Sequence, residues 1–176
     1  MDMDFTVEGS ITLSSTGMLT VNPGKTLSIA STGIVDFGDR SVVIKSDVTG
    51  TAQIGRIQGT LSGATNVTVE RYIPATGRRY RMLTPSVTTT TSIKANWMEG
   101  NMNTSGTNVN SVAGYGTQIT GPGGNANGFD VTGTNAASLY LTTNGVAPGY
   151  TSVPNTTSTL SALTGYFLFL RGDRST

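Results

Sequence analysis

Tyr166-Phe167-Leu168-Phe169-Leu170 is the one continuous apolar run in a chain where Thr, Gly, Ser and Asn make up close to half of the 176 residues. Five bulky side chains in succession leave no polar position to face water. The run therefore reads as a central strand covered on both faces, bounded by Gly165 and Gly172. Burial of large side chains contributes ~1.5–3 kcal/mol each, so this is where the rest of the chain must supply neighbours. The chain stops six residues after Leu170, which suggests a piece of a longer protein.

Composition fixes the class. Thr and Val favour strands, Gly and Asn favour tight turns, and the regular spacing of Val, Ile and Leu argues against disorder. The expectation is an all-β chain. Charged residues are 12% and the formal net charge is +1, too little field to steer nucleic acid or an acidic membrane. No run reaches membrane-spanning length, so membrane insertion is not expected. There is no Cys and no His. That removes disulfides and every Ser-His or Cys-His triad, and with them the commonest general base. The opening MDMDFTVEG is acidic and lacks an apolar stretch, so export would be directed from upstream.

Residues 9–57 hold an internal repeat. Thr16-Gly17, Thr32-Gly33 and Thr49-Gly50 recur at spacings of 16 and 17, the first two as STG triplets. The copies carry short β-prone segments (Met18–Val21, Thr26–Ile29, Ile34–Phe37, Ser41–Ile44) separated by turns at Asn22-Pro23-Gly24 and Gly38-Asp39-Arg40. A weaker third copy runs through Ala52–Ile57 and Thr60-Leu61. Such a pattern predicts a short-strand β-solenoid over 1–65, with Gly17, Gly33 and Gly50 as its structural corners and Gly17 stacked on Gly33. Leu19, Val21, Leu27, Ile29, Val35 and Phe37 should point inward. A meander of hairpins in a sandwich would show similar spacing.

Residues 66–176 read as a loop-rich β-sandwich or jelly-roll-like module, incomplete at its C-terminal end. Val67–Ile73 alternates like a half-buried strand, and Arg71, Arg78, Arg79 and Arg81 form the one basic cluster. That cluster fits an acidic sugar or phosphate contact; pairs with nearby carboxylates, or a solvated turn, are the more common use of such a cluster. Ile93 and Trp97 stand at i, i+4 on a helical turn. Asp130 with loop carbonyls is the candidate Ca²⁺ position, although one carboxylate is thin ligation. Ser138–Thr143 is a strand, and Asn144-Gly145 a turn. Trp97, Tyr115, Tyr140 and Tyr150 are the candidate sugar-stacking platforms; a lone Trp at such spacing is more often a core plug.

Arg171-Gly172-Asp173 invites reading as an integrin tripeptide. It continues the most apolar strand, however, so a structural role is expected: Arg171 is held by strand geometry, Gly172 ends the strand or makes a bulge, and Asp173 is available to pair with Arg174 or an arginine of the 78–81 cluster.

The blocks RYIPATGRRYRMLTP, SIKANWMEGN, GYGTQITGP, GFD, SLYLTTNG and GYFLFLRGDRS come in an order that resembles β-strand-repeat surface proteins of Bacteroidota exported by the type IX secretion system. The resemblance covers residues 66–176. It implies an extracellular location and neighbouring domains of the same long polypeptide, with the secretion machinery, glycans or other surface proteins as partners. The sorting domain of that family is missing here. A non-catalytic structural or adhesive module is the first reading and a carbohydrate-binding module the alternative. A polysaccharide-cleaving β-helix ranks third, since none of the ten acidic residues sits in a recognisable carboxylate pair. An ice-binding ladder would need a flat Thr array; Thr16, Thr32 and Thr49 read as a column, but each precedes Gly at a corner, and Thr88–Thr91, being consecutive, point to both faces.

Overall fold

The computed structural model describes residues 1–13, 16–74, 77–102, 116–143 and 149–171. The chain is all-β with one short helix, and it divides into two compact units, Met1–Pro74 and Ala75–Thr176.

In the first unit the chain passes three times through the same three parallel sheets. The first pass is β1 (Phe5–Val7), β2 (Ser10–Thr12) and β3 (Leu19–Val21). The second is β4 (Thr26–Ile29), β5 (Ile34–Asp36) and β6 (Ser41–Ile44). A hairpin of β7 (Ser46–Asp47) and β8 (Gly50–Thr51) intervenes before the third pass, β9 (Gln53–Ile57), β10 (Thr60–Ser62) and β11 (Asn66–Val69). The sheets are β1-β4-β9, β2-β5-β10 and β3-β6-β11. Alternation along each strand sends Val7, Val21, Leu27, Ile29, Val35, Phe37, Val42 and Ile44 into one shared core. The inward set expected from the sequence is buried except Leu19, which is half-buried against that core. The turns behave as their residues dictate. Asn22-Pro23-Gly24-Lys25 closes through the Lys25 N–H donating to the Asn22 carbonyl, with Gly24 at φ +72°.

The repeat of 16–17 residues is not the structural period. Register partners are Phe5, Leu27 and Ile54 in one sheet, Ile11, Val35 and Leu61 in the next, and Leu19, Val42 and Val67 in the third. Two strands with their turns fill a 16-residue copy, whereas a pass needs three. Gly33 consequently neighbours Gly9 and Gly59 rather than Gly17, and Gly50 lies against Gly24. Thr16, Thr32 and Thr49 form no column: Thr32 donates to the Glu8 carbonyl, and Thr49 caps the β7–β8 turn. There its amide and hydroxyl donate to the Asp47 carboxylate at 2.7 and 2.6 Å, holding that carboxyl below its ordinary pKa. The units part at Pro74, nine residues beyond the 65/66 division drawn from the sequence, because β11 pairs with β6 and completes the third pass.

The second unit is built on an antiparallel sheet of β12 (Arg79–Leu83), β15 (Tyr166–Leu170), β13 (Leu139–Thr143) and β14 (Gly149–Ser152), in that spatial order. The second sheet of a sandwich or jelly roll is not found among the described residues. Loops and the turn of helix α1 (Ile93–Asn96) contribute further buried side chains, among them Ile93, Met98, Ile119, Phe129, Val153 and Leu160. Ser92 caps α1 by accepting from the Ala95 N–H at 3.1 Å. β15 is central, with β12 on one side and β13 on the other, yet it is not covered on both faces. Tyr166, Leu168 and Leu170 are buried while Phe167 and Phe169 are half-exposed. The five apolar residues alternate after all, with aromatic rings rather than a second layer on the outer side.

Tyr166 lies on the inner face, where Trp97 meets it edge-on at 5.1 Å. Burial pushes its phenol pKa up. The neutral form is favoured in the folded state, so this stability is present in full below the unfolded value of about 10 and is lost as pH climbs through the folded one. Tyr166→Phe is expected to flatten the alkaline fall in the unfolding midpoint; an unchanged slope would place the titration elsewhere.

Candidate functional site

The register of the second sheet brings five aromatic side chains to its outer face: Tyr80 from β12, Phe167 and Phe169 from β15, Tyr140 from β13 and Tyr150 from β14. Tyr80 pairs with Phe169, Met82 with Phe167, and Tyr140 with Phe167 on the other side. The rings form a file. Phe169 meets Tyr80 tilted at 4.8 Å, Tyr80 stacks on Phe167 at 4.5 Å with 2° between planes, and Phe167 stacks on Tyr150 at 4.8 Å. Each such pair stabilises by ~0.5–1.5 kcal/mol beyond area burial, so the rings are held in place before any ligand arrives. Even so, Tyr80 is 49% and Tyr150 56% exposed.

Between Tyr80, Tyr140, Tyr150 and Phe167 lies a cleft of about 140 Å³. That is below the ~300–1,000 Å³ of a pocket enclosing a whole drug-sized ligand, and suits one ring of a longer chain. The Tyr140 hydroxyl donates to the Ala137 carbonyl at 3.0 Å, which fixes that ring at the side of the cleft. The hydroxyls of Tyr80 and Tyr150 have no protein partner among the described residues. The cleft thus offers apolar ring walls with two free phenolic tips.

Arginines gather at one end of the file. The Arg171 guanidinium lies 5.5 Å from the Phe169 ring centre, in cation–π contact. Arg79 pairs with Leu170 at the end of the β12–β15 ladder, and Arg78 and Arg171 are the next residues beyond it. The cluster seen in the sequence is otherwise divided. Arg81 falls on the inner face opposite Leu168, and Arg71 belongs to the first unit. There it lines a depression of about 380 Å³ with Tyr72, Pro74 and the β7–β8 hairpin. Among the described residues none of these arginines forms an ion pair, and Arg78 and Arg79 are exposed, as in a solvated turn; the pairing expected with Asp173 lies outside the described residues.

Of the residues singled out in the sequence, Tyr140 and Tyr150 come together here. Trp97 is half-buried against Tyr166 on the opposite face, the core-plug position. Tyr115, Gly172, Asp173 and the Asn144-Gly145 turn lie outside the described residues. Asp130 is fully buried, and its carboxylate accepts from the Ile119 N–H at 3.0 Å, which ties two loop segments together. No group of three or more His, Cys, Asp or Glu that could hold a metal ion occurs among the described residues. Tyr80 and Phe167 were not legible as site residues. The former sat within a basic cluster, the latter within a run read as core on both sides; alternation in Arg79-Tyr80-Arg81-Met82-Leu83 was the available signal.

Compared with known protein families, curated proteins and solved structures, the chain matches none of them. No helix among the described residues is long and apolar enough to cross a membrane.

Proposed function

We propose that this chain is a non-catalytic adhesive module that binds carbohydrate through the aromatic outer face of its second unit. The observation that carries the reading is the pre-stacked file Tyr80–Phe167–Tyr150, with its ring-sized cleft and free phenols. A sugar ring has apolar C–H faces and a rim of hydroxyls, which apolar walls with polar tips complement. The cleft lining contains no carboxylate, so it offers binding without the acid–base pair that glycoside hydrolysis uses.

The first unit is read as a short β-solenoid stem, supported by three passes sharing one core. The second is read as a loop-covered single-sheet module. The order of sequence blocks supports placement at the surface of a Bacteroidota cell after type IX export, with further domains of the same polypeptide as neighbours.

A glycan array followed by calorimetry tests the reading. Tyr150→Ala should weaken the best polysaccharide ligand about tenfold or more, equivalent to about 1.4 kcal/mol, while lowering stability only by the lost ring stack, ~0.5–1.5 kcal/mol, and leaving the unit folded. Undiminished binding by both Tyr150→Ala and Tyr80→Ala would overturn it, and turnover of any glycan would refute the non-catalytic part.

A further inference from the structure

Resting on the carbohydrate reading, we infer that the ligand is an anionic polysaccharide, whose carboxylate or sulfate groups are met by Arg171 and Arg78 at the end of the aromatic file. Arg78 directly precedes β12 and is exposed, and Arg171 directly follows β15, so both cations stand where the paired strands end. Neither has a carboxylate partner among the described residues, and the Arg171 Nε is buried without a hydrogen bond. Arg171 is moreover held over Phe169, so its planar fork is set at the border of the apolar track before an anion arrives.

The imbalance is local. Ala75–Thr176 contains six basic side chains against three acidic ones, although the whole chain is only +1. One of those acids, Asp130, is fully buried.

A single-stranded nucleic acid is the rival for aromatic rings beside arginine. Here Phe167 is already stacked on Tyr80 at 4.5 Å and on Tyr150 at 4.8 Å, which leaves no gap for a base to intercalate between those rings. Two or three cations also fall short of the 6–10 phosphate contacts typical of strong binding to the nucleic-acid backbone. A polymer carrying one charge per sugar fits better.

The test uses the full chain and four probes: polygalacturonate, the same polymer after carboxyl reduction, a sulfated galactan, and oligo-dT. Polygalacturonate or the sulfated galactan should bind about tenfold or more tightly than the reduced polymer, and whichever is preferred distinguishes carboxylate from sulfate. Moderate salt should remove that preference and leave the neutral polymer's affinity unchanged. Arg171→Gln with Arg78→Gln should abolish it too, while Tyr150→Ala weakens every polymer. If the double variant unfolds, the salt dependence of the unmodified chain decides. Equal affinity for the charged and reduced polymers, insensitive to salt, overturns the anionic inference and leaves the carbohydrate reading standing. Tighter, arginine-dependent binding of oligo-dT overturns the inference, and failure to bind any of the three polymers removes both readings.

Discussion

Gly33→Ala is expected to lower the stability of Met1–Pro74 by about 3 kcal/mol or more, the upper range for overpacking a filled site. A methyl group there would overlap the Val7 carbonyl oxygen and come within 2.8 Å of the Ile29 Cγ2. The Ile29 methyl could yield, but the oxygen belongs to the backbone and already accepts from the Ala30 N–H at 2.9 Å. To make room, the first and second passes would have to separate where their sheet hydrogen bonds hold them at strand spacing. Gly59→Ala should act likewise, because its methyl would overlap the Gly33 and Ala30 carbonyl oxygens. Gly9→Ala supplies the control from the same column: nothing lies within 4 Å of its added carbon, and the change should fall within about 0.5 kcal/mol. Urea midpoints of the three variants decide the matter. Equal effects of Gly9→Ala and Gly33→Ala would mean that the passes do not pack as closely as the pairing places them.

Leu168→Ala should cost the second unit about 3–4 kcal/mol. The residue is 1% exposed at the middle of the central strand, paired with Arg81 on one side and Leu139 on the other. Its truncation leaves a cavity bounded by strands on both sides, where collapse is restricted. Met82, on the outer face of β12 and 68% exposed, gives the contrast: Met82→Ala should stay within about 0.5 kcal/mol. A large loss from Met82→Ala would indicate that the outer face is covered and would remove the open aromatic site with it.

The strands of the first unit were legible where apolar alternation and turn residues are both local. Val21, Leu27, Ile29, Val35 and Phe37 announce their inward direction at period two, and Pro23-Gly24 announces its turn. What the residues do not announce is which strand neighbours which. A parallel pair has no connecting turn, so Ser10–Thr12 beside Ile34–Asp36 leaves no short-range mark. The 16-residue spacing in the sequence covers two strands, whereas each pass holds three. In the second unit, Tyr140 and Tyr150 were legible as exposed aromatics on or near a strand. Their assembly with Tyr80 and Phe167 depends on a pairing between segments about ninety residues apart, Arg79–Leu83 and Tyr166–Leu170, which only tertiary contact establishes.

Trp97 stands edge-on against Tyr166 in the second unit, and the first unit contains no indole. Tryptophan emission therefore reports one unit alone, while far-UV circular dichroism sums over both. A melt followed at the two signals would separate the units without labels or cleavage. Leu168→Ala should shift the emission transition, whereas Gly33→Ala should leave it in place and move only the dichroism. Coincident shifts in both signals would reveal that the units unfold as one cooperative body.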